Sequence, residues 1–146
     1  QWTMNDAVAA AEDLIERGRM CFIPDELEYL RAGGRVNNAV ALVGRVLGIH
    51  PLIEFLDGNL VATKKLRGKL IKIAPQLVRD YAAEHDLDRE ELWLIWTPYF
   101  PDDVRQAVNQ TAESLGFRKI TWVKSGGVIT THSGPSAFGV VGFAGK

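Results

Sequence analysis

Two apolar runs flank Asp57-Gly58 in "IHPLIEFLDGNLVAT", residues 49 to 63, and this is the clearest local signal in the chain. Asp-Gly between alternating apolar residues is the signature of a type I′ turn, whose two central residues both need φ > 0. The twist of that turn matches the twist of the strands it joins, so the segment reads as an antiparallel β-hairpin. The rest of the chain must then supply further strands and the helices that cover them.

Upstream, Thr3 to Asp6 reads as a capping-box-like helix start, with Ala7, Val8, Ala11, Leu14 and Ile15 on one apolar stripe and Gly18 at the end. "CFI" at 21–23, closed by Pro24, reads as a buried strand, and "ELEYLRA" as a helical turn leading into Gly33 and Gly34. Residues 37–47 look helical, with Arg45 their only charge. Downstream of the hairpin a helix is expected from Lys69 to His85, kinked or restarted at Pro75. "ELWLIWTPY" (91–99) reads as a strand stopped by Pro98, followed by a helix from Pro101, Asp102 and Asp103 to Gly116. "KITWV" is another strand, and "GGVITTHSGPSAFGVVGFAGK" gives two short segments around a Gly-Pro turn. The expected architecture is one α/β domain over residues 1–146, a two-layer sandwich. Its mixed, largely antiparallel sheet is expected to be covered mainly on one face by helices.

Composition bounds the function. The chain of 146 residues is 47% hydrophobic and 24% charged, ordinary for a globular domain with a real core. A net charge of −1 argues against a general nucleic-acid binder. Cys21 is the single cysteine, which rules out an intramolecular disulfide and fits a reducing, cytoplasmic compartment. No apolar stretch has the length of a transmembrane helix, and no secretory signal opens the chain. The chain starts at Gln1 rather than methionine, so a domain cut from something longer is expected.

The chemical motifs are few. Paired glycines cost backbone entropy, so Gly33 and Gly34 imply φ > 0 or a close backbone approach. Arg35 follows them with no acidic residue nearer than Glu28 or Glu54, so its partner is not local. "GPSAF" at 134–138 resembles a nucleophile elbow but has Phe138 where G-x-S-x-G needs glycine, and a strand follows where the elbow needs a helix. "GFAGK" fails as a phosphate-binding loop because position 140 is Val and no helix remains after it. His50, His85 and His132 are too scattered for a local metal motif, so neither metal nor cofactor is expected.

Three features remain. "TTHSGPS" gathers Thr130, Thr131, His132, Ser133 and Ser136 around the Gly-Pro turn, either an oxyanion-holding cluster or an ordinary hydroxyl-rich loop. "TKKLRGKLIK" carries Lys64, Lys65, Arg67, Lys69 and Lys72, with no acid between Gly58 and Asp80. Lys69 and Lys72 fall near a helix N-terminus, where the macrodipole disfavours cations, so this is a docking edge for an acidic partner or a solvated rim. Ala41, Gly44 and Gly48 recur at helical spacing beside Val40, Val43 and Leu47, a face for close helix packing or for a thin apolar ligand.

"YLRAGGRV", "GRVLGIHPLIEFLDG", "KLR" and "VITTHSGPSAFG" together resemble the second domain of the DegV family, bacterial fatty-acid-binding proteins that serve as the B subunit of fatty acid kinase. The resemblance implies a long-chain fatty acid in a tunnel, with its carboxylate near the contact of two domains. A catalytic kinase subunit then uses ATP and magnesium to make the acyl phosphate. Carried over by motif, Arg35, His132, Thr131 and Ser133 become head-group candidates, and Val40, Val43, Leu47 and Phe138 line the tail. Lys65 and Arg67 become the kinase-docking surface. Two departures stand out: the family's first domain is missing, and Ser136 replaces the glycine usual after G-P. The chain is thus expected to be a non-catalytic, lipid-binding half-protein. The alternatives are a small serine hydrolase using Ser136 or Ser133 with His132, and an interaction module built on the basic edge.

Overall fold

Thr3 and Asp6 exchange the reciprocal bonds of a capping box, Thr3 N–H to Asp6 Oδ2 at 2.8 Å and Asp6 N–H to Thr3 Oγ1 at 3.2 Å, and helix α1 (Met4–Arg17) follows. The computed structural model describes residues 2–24, 26–34 and 48–145. The helix expected at 37–47 therefore lies outside the described residues, as do Arg35, Val40, Val43 and Leu47. The apolar stripe of α1 forms as expected, yet none of its residues is buried, and Met4 and Ile15 are each 79% exposed.

Gly18 ends α1 and begins β1 (Gly18–Ile23), longer than the three residues the sequence suggested. Next come α2 (Leu27–Ala32), β2 (Ile49–Leu56), β3 (Asn59–Arg67), α3 (Leu70–Glu84) and β4 (Glu91–Trp96). They are followed by α4 (Asp102–Ser114), β5 (Lys119–Lys124), α5 (Gly127–Ser133) and β6 (Phe138–Phe143). The hairpin turn is as its sequence demands: Asp57 at φ 50° and Gly58 at φ 75° bring Leu56 opposite Asn59. Helix α3 runs through Pro75 without a restart.

One six-stranded sheet has the order β3-β2-β1-β6-β4-β5. Every neighbouring pair is antiparallel except β4 with β5. Alternation along the strands divides the apolar residues between two faces. Cys21, Ile23, Leu52, Leu92, Leu94, Phe138 and Val140 meet α3 and α4 in the main core. On the other face Leu30 of α2 packs with Ile53 and Ala62 in a much smaller cluster. Helical cover is therefore concentrated on one face, the expected arrangement. Burial, and secondarily Glu54, pushes the Cys21 thiol well above its ordinary pKa, so it sits protonated in the core.

Phe138, expected to line the ligand tail, is 1% exposed and stacks on Phe100 with ring centroids 5.3 Å apart, so it packs in the core under α4. The strand pattern "FGVVGF" gave the period of two, and the bulky rings of Phe100 and Trp122 decided which side of the sheet Phe138 faces.

Candidate functional site

The two glycines ahead of Arg35 separate the two reasons for which a chain uses glycine. Gly34 has φ +64° and open space around it, so it supplies the left-handed turn. Gly33 has an ordinary helical backbone, φ −77° and ψ −3°, but a Cβ there would lie 2.1 Å from His132 Nδ1. Its hydrogen makes room for the imidazole. The reverse contact occurs one turn away, where Gly134 at φ +77° lies against Tyr29, and a Cβ would come within 2.5 Å of the tyrosine ring. Helix α2 with its glycine corner and helix α5 with its Gly-Pro turn thus interlock: Tyr29 on Gly134, His132 on Gly33. The residues of "YLRAGG" and "THSGP", far apart in the chain, thus lie together.

The hydroxyls of this site are less available than the sequence suggested. Residues 127–133 are helical, and helical Ser and Thr return their protons to the preceding turn. Thr131 Oγ1 donates to Gly127 O and Ser133 Oγ to Ile129 O, both at 2.8 Å, while Thr130 and Ser125 share a hydrogen bond of 2.8 Å. Thr131 and Ser133 therefore do not aim donors at a common point. His132 differs, since its Nδ1 is buried and has no hydrogen-bond partner among the described residues. A buried ring nitrogen left without a partner is costly and calls for a ligand or another group.

Ser136, the departure from the expected glycine, sits at φ 57°. The backbone there is left-handed, and the hydroxyl bonds outward, donating to Tyr99 O at 2.9 Å. Neither Ser136 nor Ser133 directs its hydroxyl to His132, so the serine–imidazole pair that a hydrolase requires is not assembled among the described residues. Nor do three His, Cys, Asp or Glu residues gather into a metal site there. His85 lies 3.3 Å from the buried Glu54, away from any such cluster.

The basic segment takes a clear place as well. Strand β3 is one edge of the sheet, and Lys65 and Arg67 on it are exposed. Between β3 and α3 runs a groove of about 380 Å³, floored by Leu66, Ile73, Leu77 and Tyr81, with Lys65, Arg67 and Lys72 among its lining residues. Lys64 is not free, for it hydrogen-bonds Glu84 of α3. That bond lowers the Glu84 carboxyl below its ordinary pKa and raises the Lys64 ammonium. Lysines on an edge strand also discourage edge-to-edge pairing between molecules. Sequence reasoning missed Tyr29 as a packing residue and Thr97–Tyr99 as the segment tied to the turn. The only local sign was the paired prolines Pro98 and Pro101, which mark a turn without naming what it touches.

Along nearly its whole length the chain is similar to known proteins. The model described as "Uncharacterised protein, DegV family" matches residues 2–144. A DegV domain-containing protein of Deinococcus radiodurans is 32% identical over 135 residues, covering 91% of this chain and 47% of the relative. Among solved structures, a fatty acid binding DegV family protein from Streptococcus agalactiae superposes with a TM-score of 0.76 at 25% identity, over 99% of this chain and 50% of that one. The fatty acid kinase B3 protein of Streptococcus pneumoniae, loaded with linoleic acid, shares the fold with a TM-score of 0.83 at 15% identity, over 99% and 50% respectively. The chain spans about half the length of each of these relatives. Among the described residues no helix is long and apolar enough to cross a membrane.

Proposed function

This chain belongs to the DegV family, and on that premise we propose that it is one half of a two-domain fatty-acid carrier that presents an acyl carboxylate to a fatty acid kinase. In the reaction a carboxylate oxygen bonds to the γ-phosphorus of ATP while the bond to ADP breaks, which gives the acyl phosphate. The carrier itself is non-catalytic: it holds and aims the substrate in the cytoplasm, and the kinase subunit supplies the nucleotide and magnesium.

The observation that carries this reading is the contact between Gly33 and His132. It joins the two motif elements at the corner from which Arg35 follows two residues later, and it leaves His132 Nδ1 without a partner among the described residues. An imidazole and a guanidinium are suited to a carboxylate, which accepts hydrogen bonds at both oxygens. Thr131 and Ser133, with their protons committed to α5, are secondary members of the head-group set. Two further findings support a second domain: the chain covers about half of its relatives, and the exposed stripe of α1 offers an apolar face of the kind such domains cover. The energetic roles are unequal. Each buried CH₂ of a tail contributes about 0.8 kcal/mol, whereas one charge-assisted hydrogen bond contributes about 1.5–3 kcal/mol. The tail therefore sets affinity, with Val40, Val43 and Leu47 as its candidate wall, and the head-group residues set orientation.

Mass spectrometry of an organic extract of the purified two-domain protein tests the reading. A long-chain fatty acid should co-purify at near-stoichiometric amount, and its absence from ligand-replete preparations overturns the carrier role. Arg35→Ala in that protein should keep the fold and slow acyl-phosphate formation by about ten- to hundredfold, the worth of one charge-assisted contact. Turnover at the parent rate would remove Arg35 from the site. Lys65 and Arg67 are proposed to dock the kinase subunit. Reversing both to Glu should weaken that association and flatten its salt dependence while sparing fatty-acid affinity. Parallel losses of lipid and kinase binding would show a damaged fold instead.

A further inference from the structure

Tyr99 is 85% exposed, and its backbone sits at φ 69°, a conformation that bulky residues rarely adopt. The strain is held in place from the Gly-Pro turn. Ser136 N–H donates to Pro98 O at 2.9 Å, and Ser136 Oγ donates to Tyr99 O at 2.9 Å. Ala137 N–H donates to Thr97 Oγ1 at 2.8 Å, and Thr97 N–H donates to Ala137 O at 3.1 Å. Thr97 is itself buried, so the anchor is firm, while Tyr99 is exposed in this half of the protein. A lone exposed aromatic needs no explanation, but one kept in a strained backbone by a built set of hydrogen bonds does.

The same turn begins at His132. Tyr29 meets it at Gly134, and Tyr99 is tied to it two residues later at Ser136. We propose that Tyr99 is a recognition residue for the catalytic kinase subunit, displayed at the rim of the head-group turn. This rests on the carrier reading. A carboxylate held near His132 can be phosphorylated only when the active site of the kinase comes within bonding distance of it. The kinase must therefore reach the surface around residues 132–136, and among the described residues Tyr99 is the most exposed ring tied to that surface. Tyrosine suits the task, because it buries a large rigid area at small entropic cost and keeps a hydroxyl for a polar partner. The loop is already ordered by its bonds to Ser136 and Ala137, so little freedom is lost on docking. Lys65 and Arg67 would act by long-range attraction, Tyr99 by close contact.

Kinase assays on the two-domain protein, loaded with fatty acid, test this with two variants. Tyr99→Gly removes the ring and suits the left-handed backbone, so the fold is not at risk. Its KM as the kinase substrate should rise about tenfold or more, the usual reach of an aromatic anchor, with kcat at saturation and fatty-acid affinity unchanged. Tyr99→Phe should lie between Tyr99→Gly and the parent. A Tyr99→Gly protein with the parent KM overturns the proposal and leaves the carrier reading standing. An equal loss of fatty-acid affinity also overturns it, since the ring would then act through the lipid. A parent protein that neither binds fatty acid nor is phosphorylated overturns the carrier reading, and this proposal with it.

Discussion

Gly134→Ala should destabilise the domain by about 2–4 kcal/mol, and Gly33→Ala by about 1–3 kcal/mol. The two substitutions press on the same α2–α5 contact from opposite sides. Gly134 combines two penalties: φ +77° with ψ 179° lies in a region almost reserved for glycine, and the added methyl would meet the ring of Tyr29 at 2.5 Å. Gly33 has only the second kind, since its backbone is helical and the obstacle is the His132 ring at 2.1 Å. Gly34, at φ +64° with open space beyond it, should cost about 1–2 kcal/mol as alanine, from the left-handed backbone alone. Urea titration of the three variants gives the order directly. Gly33→Ala at parent stability would mean that the imidazole does not rest on that glycine, and the two motif elements would lose the contact that joins them.

This site also shows what a sequence carries and what it withholds. Paired glycines announce that either φ > 0 or a close approach is needed, and the chain contains one of each. Nothing in "AGGR" tells which glycine has which role, because the neighbour of Gly33 comes from α5, nearly a hundred residues on. The hairpin was legible for the opposite reason. Asp57 and Gly58 settle their own φ values, and the partner strand is the next segment of chain. The capping box of α1 is local in the same way.

Residues 127–133 lie at the far end of that scale. "GVITTHS" opens on glycine and is rich in β-branched side chains, a poor helix former by propensity. Its hydroxyls read naturally as a loop cluster. Packing against α2 makes it helical, and once helical, Thr131 and Ser133 turn their protons back into the helix. The hydroxyls thus owe their place to a tertiary contact that the sequence does not show, and the protons of Thr131 and Ser133 are committed within α5. Ser136 gives the converse case. Its position after Gly-Pro put the turn in question, yet serine takes a left-handed backbone there and its hydroxyl makes a bond that glycine could not make.

Phe138→Ala should lower stability by about 3–5 kcal/mol, the range for deleting a buried aromatic ring, and for a domain of this size that lowers the melting temperature by about 6–20 °C. The ring is 1% exposed, stacks on Phe100 at 5.3 Å and has Trp122 at 6.1 Å, so its removal leaves a cavity among rigid neighbours that cannot close it. Phe138→Leu fills most of that space and should cost much less than Phe138→Ala. The pair also separates two roles that the sequence could not distinguish. If Phe138 serves only the core, Phe138→Leu in the two-domain protein keeps the parent preference for fatty-acid chain length, and both variants lose stability in proportion to the volume removed. If the ring instead bounds the lipid tail, Phe138→Leu shifts chain-length preference with little change in melting temperature. The contacts with Phe100 and Trp122 favour the first outcome, because a side chain enclosed by the α4 side of the sheet has no remaining surface to offer a tail. Thermal denaturation and competition binding of saturated fatty acids of graded length, run on the same preparations, decide between them.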